Sequence, residues 1–285
     1  MSGRAAVTVV VPVWGRYVGF VRECVESVLD QTGVEAPRVV VVDNASDVPL
    51  PSLPPEVEVV RSTRRVSVGA ARNLGLGRVE TENVVFCDAD DLLVPGAIAF
   101  LTSRMAARPK LVAAICRYVS WNPDTGARAV FERAPRPIVF RVARYPRLFA
   151  LAGLRYNCFP VVGGILRTRA ARDAGGFGDG NVGEDWILGA QIAFRGPIEF
   201  HREPSFVRRV HADSLWYRQH ARSDYLARCD LLRARVERDP RVPGWLKAGL
   251  PLLAVVHRRD VARAARRHGV IDPVNPLLEL TGAAK

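Results

Sequence analysis

Two stretches of this sequence leave the chain little freedom in what it can fold into. Residues 7–13 read VTVVVPV and residues 39–42 read VVVV. Both are continuous β-branched runs without polar alternation. Strands buried on both faces read this way, and parallel sheets flanked by helices are built from such strands. Between the two runs Val21, Cys24, Val25, Val28 and Leu29 recur at helical spacing, and Gly33 stands where a helix would end. The result is a strand–helix–strand unit of the length a right-handed crossover needs.

The alternation continues along the chain. Residues 57–60 and 84–87 predict further strands, with 70–77 a short helical connection. Residues 48–55 hold four prolines and must be a loop. A helix is expected over 95–107, then a strand near 112–116. Residues 121–147 are irregular, rich in Pro and Arg, with mixed strand potential. A strand over 161–166, a turn carrying Gly175, Gly176, Gly178 and Gly180, and a helix over 184–194 follow. Beyond His211 the pattern is helical and arginine-rich, broken at Pro240, Pro243 and Pro251. The expected organisation is an α/β domain over residues 1–210, with a mostly parallel central sheet between helices, and a basic helical extension over 211–285.

Composition narrows the class. Of the 285 residues, 48% are hydrophobic and 25% charged, enough apolar matter for a core, which excludes a wholly disordered chain. No apolar run approaches the roughly 20 residues of a spanning helix. The apolar opening is not followed by a small-residue cleavage pattern, so the expected location is cytoplasmic, at most peripheral to a membrane. Cys24, Cys87, Cys116, Cys158 and Cys229 are scattered and odd in number, which fits buried free thiols rather than a disulfide framework or zinc site. The net charge is +12, and residues 201–285 carry 17 basic and 9 acidic residues, so +8 of it lies in the last third.

Three acidic places could carry chemistry. The strand VVFC runs into Asp88, Ala89, Asp90 and Asp91. Three carboxylates at a strand's carboxyl end repel one another, and a divalent cation such as Mg²⁺ or Mn²⁺ would compensate them. The plainer reading makes Asp91 the cap of a helix beginning near Leu92. Asp43 closes the VVVV run, where a turn former and an acceptor for a nucleobase N–H are both compatible with its position. Glu184 and Asp185 follow the glycine turn and precede Trp186. They are either acids favoured by a helix dipole or a general base beside an aromatic platform.

Taken in order, these segments resemble family 2 glycosyltransferases of the GT-A fold, over about 210 residues. VTVVVPVWGRYVGFVRECVESVLDQT is similar to the family's opening strand and helix, VVVVDNASD to its nucleobase-contacting strand end, and VGAARNLGL to its Ala-Arg-Asn segment. DADD is similar to the DxD metal motif, GGILRTRAARDAGGF to the acceptor-side segment, GEDWILGAQIAFRG to the segment carrying the base, and RVHADSLW to the His-containing close of the domain. The resemblance implies that Pro12 and Trp14 line the nucleoside pocket and that Asp43 binds the base, most often uracil, with Arg72 nearby. Asp88, with Ala89, meets the ribose or metal, Asp90 coordinates Mn²⁺ or Mg²⁺, and His211 is a late metal or diphosphate contact. Gly164 and Trp186 fall on the acceptor side, and Asp185, next to Glu184, deprotonates the acceptor hydroxyl. Where the family commonly has Tyr-Asn, this chain has Trp14-Gly15.

The activity so implied is metal-dependent transfer of a hexosyl or N-acetylhexosaminyl group from a nucleotide-sugar, most often a UDP-sugar, to an acceptor hydroxyl. One base and no second nucleophilic carboxylate imply inversion. A dehydrogenase would need GxGxxG after the first strand and an NTPase GxxxxGK[ST], and neither is present. A nucleotidyltransferase is the nearest enzymatic alternative, but Gly15-Arg16 is a poor match to its loop. The non-enzymatic alternatives are a basic nucleic-acid module, for which no recognition motif exists, and peripheral membrane contact. For the latter, Trp216, Tyr217, Leu226, Leu231, Leu232, Trp245 and Leu246 intersperse with Arg, although a helical face packed on the catalytic domain reads the same way. Trp121, Tyr156, Trp186 and Trp216 are further candidates for an acceptor platform.

Overall fold

A computed structural model describes residues 7–131, 145–155, 162–181, 183–211 and 222–268. Tyr156, Cys158, Trp216 and Tyr217 lie outside the described residues.

The two valine runs form β1 (Val7–Val13) and β2 (Arg38–Asp43), which pair in parallel. β3 (Glu58–Arg61) extends the sheet beyond β2, and β4 (Asn83–Phe86) lies on the other side of β1, both again parallel. Beyond β4 come β8 (Ile165–Arg167), β6 (Ala113–Trp121) and β9 (Ile198–Arg209), with β5 (Leu92–Leu93) on β9 and β7 (Arg128–Phe131) on β6. β8 runs antiparallel to both β4 and β6, and β9 runs parallel to β6. β1, β2, β3, β4, β6 and β9 therefore share one direction and their carboxyl ends one edge. The sheet is mostly parallel, as the sequence predicts.

Burial on both faces explains the unbroken valines. Val9, Val11, Val39, Val41 and Val85 enter one apolar cluster, and Val10, Val40, Val42, Val84 and Phe86 enter another on the opposite face. The first face is covered by α1 (Val21–Leu29), through Val21, Cys24, Val25 and Val28, and by α3 (Ala97–Ala107), through Ile98, Leu101 and Met105. The second is covered by α2 (Val68–Arg78). Small residues let α2 sit close: a Cβ on Gly75 would come within 2.2 Å of Val10 Cγ1. Each fully buried valine contributes on the order of 1.5–2 kcal/mol of transfer free energy, an upper figure because unfolded chains are already partly compact. The four described cysteines are free and buried.

A third cluster joins the carboxyl-terminal helices to the rest. Leu154 of α4 (Pro146–Arg155) and Trp186, Ile187 and Ala190 of α6 (Glu184–Ile192) pack with Cys229, Leu232 and Val236 of α7 (Arg222–Arg238). Between α4 and α6 lies the short α5 (Thr168–Asp173), and α8 (Gly244–Ala248) and α9 (Leu250–His268) are the last described elements. Arg235 of α7 donates to the carbonyls of Gly176 and Phe177 at 3.0 and 2.9 Å, and Arg155 of α4 pairs with Asp260 of α9 at 3.0 Å.

Several elements differ from the sequence reading, and two of them bear on the site. No helix begins at Leu92: Leu92 and Leu93 pair with Val207 and Phe206, and α3 starts only after Gly96, whose φ of 78° sets the turn. Asp91 is accordingly not a helix cap; its Oδ1 accepts the Arg209 N–H at 3.0 Å. The twelve-residue β9 was not foreseen, because IEFHREPSFVRR shows neither alternation nor an apolar run. Residues Arg202 and Glu203 are exposed and the register with β6 is broken around Arg117, which disguises the strand.

Candidate active site

The carboxyl edge of the parallel strands gathers the acidic segments. α2 is the element that connects them. Its amino end is stitched to the glycine turn: Ser67 Oγ hydrogen-bonds Asp179 Oδ1 at 2.5 Å, Val68 N–H donates to Asn181 Oδ1 at 3.0 Å, and Gly69 N–H donates to the Gly180 carbonyl at 3.1 Å. Gly69 is required here, since a Cβ would lie 1.9 Å from the Gly178 carbonyl oxygen. Asn73 then holds Phe177 by both its N–H (2.9 Å) and its carbonyl (3.2 Å).

These contacts bring Arg72 to the start of α6. Its buried guanidinium pairs with Glu184 through Nη1 and with Asp88 through Nη2. One side chain thus bridges two carboxylates 96 positions apart in the sequence, the distance from Asp88 to Glu184. Burial works against the Arg72 charge, but Asp88 and Glu184 outweigh it and hold its pKa above the ordinary guanidinium value. The Glu184 carboxyl is pushed up to about 7, chiefly by burial, with Arg72 opposing and Asp185 and Asp88 adding to the rise. Asp185 acts on both groups, so it belongs to the same electrostatic cluster. Its side chain is half-buried, and its Oδ1 accepts the Trp186 N–H at 2.7 Å.

The raised Glu184 carboxyl sets a pH dependence. Between about 4.5 and 7 the folded chain keeps a proton that the unfolded chain has released, so this group's contribution to stability falls as pH rises through that window. Glu184→Gln mimics the protonated form. Its melting temperature should match the wild type near pH 5 and exceed it by a few degrees near pH 8, as read by thermal denaturation across the range.

The other half of the edge is formed by DADD and the end of β9. Asp90 Oδ2 lies 3.0 Å from His211 Nε2, and the His211 ring packs against Tyr17 and Phe20 at 5.9 and 5.6 Å. Arg209 donates from Nε to the Asp90 carbonyl at 3.1 Å and from Nη2 to Glu23 at 2.6 Å. Ala89 is buried, and burial among Asp90 and Asp88 raises the Asp91 carboxyl well above its usual range. Among the described residues no group of three or more His, Cys, Asp or Glu side chains is arranged to hold a metal. Asp90 and His211 offer one carboxylate and one imidazole. The Asp90 carboxylate is the hard oxygen donor that suits Mg²⁺ or Mn²⁺, and the His211 imidazole stands beside it.

At the ends of β1 and β2, Pro12 pairs with Val42 and Val13 with Asp43. Asp43 is buried; Oδ1 accepts the Ser46 N–H at 2.9 Å and Oδ2 pairs with Arg61, which also donates to the Ser46 carbonyl at 3.1 Å. Trp14 is half-buried with the Arg65 guanidinium 3.5 Å above its ring. Gly164 is buried at the start of β8, next to Gly163, whose N–H donates to the Phe86 carbonyl at 2.9 Å.

Trp186 corrects the sequence reading. Its ring is 1% exposed in the third apolar cluster and its Nε1 donates to the Gly153 carbonyl at 2.5 Å, so it is a core residue and offers no platform. Sequence reasoning also missed Arg61, Arg65 and Arg209. All three sit among many other arginines, and only the return of β3 and β9 to the sheet edge distinguishes them. A cavity of about 650 Å³ lined by Arg104, Arg108, Lys110 and His201 opens at the opposite, amino-terminal edge of β6 and β9, and none of the candidate residues lines it.

Comparisons with known proteins bear on the fold and the family. A search of curated proteins found no significant match. Among solved structures, the crystal structure of S. aureus TarS 1-349 in complex with UDP-GlcNAc superposes with a TM-score of 0.64 at 14% identity, covering 92% of this chain and 74% of that one. The mannosyltransferase PcManGT from Pyrobaculum calidifontis in complex with GDP-Man and Mn2+ superposes with a TM-score of 0.57 at 22% identity, covering 99% and 81%. Both place the chain in the GT-A fold. The profile described as Glycosyl transferase family 2 matches residues 8–164, from the first strand past DADD to the glycines before β8. Sheet order, the acidic strand end and that match lead to one assignment: the chain belongs to glycosyl transferase family 2.

Proposed function

We propose that the protein transfers a sugar from a nucleotide-sugar, of which UDP-sugars are the first class to test, to an acceptor hydroxyl with inversion at the anomeric carbon. The observation that carries this reading is the Arg72 bridge, which draws the start of DADD, at Asp88, and the Glu184–Asp185 pair to one site in a chain of this family. The solved relatives hold UDP-GlcNAc or GDP-Man with Mn2+, which supports a nucleotide-sugar donor and leaves the base and sugar to be measured. We take residues 1–210 as the catalytic unit and 211–285 as its helical extension.

In this reading Asp43 accepts from the nucleobase, at the pocket bounded by Pro12 and Trp14, after Arg61, whose side chain is 59% exposed, swings aside. Asp88 meets the ribose beside Ala89. Asp90 and His211 would hold the divalent cation, which supplies charge stabilisation for the departing diphosphate. Asp185 is the base and Glu184 is not: Glu184 is buried against Arg72, whereas Asp185 is half-buried at the mouth of α6. Asp185 takes the proton of the acceptor hydroxyl as that oxygen bonds to the anomeric carbon. The sugar–phosphate bond breaks on the far side, and its electron pair leaves with the diphosphate. The acceptor is delivered from the side of Gly164.

A thermal-shift screen of UDP-, GDP- and dTDP-sugars with and without Mn²⁺ or Mg²⁺, followed by product detection with the best donor, tests the reading. One donor should raise the melting temperature more with metal than without, by the stabilisation a ligand gives when it binds only the folded state. Asp90→Ala should abolish the metal-dependent part of that shift and keep the metal-independent part. No shift with any donor would overturn the reading.

A further inference from the structure

We propose that the outer face of α8 and α9 is a docking surface for anionic phospholipid membrane. Over residues 250–260 α9 has two faces: Leu250, Leu253 and His257 face inward, with Leu250 in the third cluster and His257 hydrogen-bonded to the Leu154 carbonyl at 3.0 Å. One hundred and eighty degrees round the same helix, at the helical spacing of 252, 255 and 259, stand Leu252, Val255 and Arg259. Leu252 is 69% and Val255 43% exposed, and Trp245 on the preceding α8 is 62% exposed. These side chains, on consecutive helices, leave a large part of their apolar surface in water.

Charge selects the occupant. Residues 244–268 hold six basic residues, Lys247, Arg258, Arg259, Arg263, Arg266 and Arg267, and one acid, Asp260. That acid is engaged by Arg155 at 3.0 Å. A second copy of this chain would set the exposed Arg258 and Arg259 against their own counterparts, which repels. An anionic bilayer takes both features at once: arginines meet the headgroups, while Trp and Leu enter the boundary region. Leu232 and Leu246, expected from the sequence to share this role, are buried in the third cluster and do not.

Flotation of the full chain with vesicles tests the surface without reference to transfer activity. Phosphatidylcholine vesicles carrying about 30% phosphatidylserine should retain the protein at near-physiological salt, and pure phosphatidylcholine should not. The double variant Trp245→Ser with Leu252→Ser, and separately Arg258→Glu with Arg259→Glu, should each lower the partition coefficient about tenfold or more. These residues are exposed, so the melting temperature should not move, which separates lost docking from lost folding. Absence of binding at low salt, equal binding to neutral vesicles, or undiminished binding of Trp245→Ser with Leu252→Ser overturns the proposal. So does a dimer in solution that the same variant dissociates.

Discussion

Asp185→Asn is expected to lower kcat by about 10³-fold while leaving donor affinity within a small factor of wild type, as general-base removal typically does. Asn keeps the shape, and its Oδ1 can still accept the Trp186 N–H, so the first turn of α6 should stay in place. What disappears is the ability to take a proton. Glu184→Gln is the matched control: it neutralises the adjacent carboxyl without removing the proposed base, and its effect on kcat should be much smaller. Single-turnover measurement with the best donor, alongside its Kd, distinguishes the outcomes. Full turnover in Asp185→Asn would move the base to Glu184 or another residue. Lost donor affinity at unchanged kcat would make Asp185 a binding residue instead.

The fold was legible where burial dictates composition. Residues 7–13 and 39–42 read as interior strands because unbroken β-branched runs favour extended chain buried on both faces, and α1 followed from Val21, Cys24, Val25 and Val28. It was illegible where tertiary pairing overrides local pattern. β9 carries His201, Arg202, Glu203 and Pro204 in mid-strand, and β5 is two leucines whose extended state depends on Phe206 and Val207. The acidic segments could be read as a set only because their order resembles a family. That Arg72 joins two of them depends on Gly69 and Asn73 drawing α2 onto the glycine turn, a contact no local spacing encodes. Trp186 shows the converse failure. An aromatic residue after two acids looks like a platform in sequence, yet the third cluster closes over it.

Arg72→Met is expected to cost about 3 kcal/mol of stability, the usual penalty for removing one partner of a buried ionic group. For a chain of this size that corresponds to a melting temperature lower by roughly 6–12 °C. Methionine fills much of the volume beside Phe177 but leaves Asp88 and Glu184 without their shared cation. The two carboxylates will respond differently. Asp88 keeps about a third of its side chain in water and can be hydrated, whereas Glu184 is buried and can only take up a proton, so its pKa should climb further above about 7. Glu184→Gln in the Arg72→Met background should therefore recover a substantial part of the loss at pH 8 and little at pH 5, where Glu184 is already protonated. Arg72→Lys should fall between, because a single ammonium cannot offer the fork that reaches both carboxylates. If Arg72→Met melted with the wild type at every pH, the bridge would contribute nothing to folding. The two acidic segments would then have to be held together by the glycine-turn contacts of α2 alone.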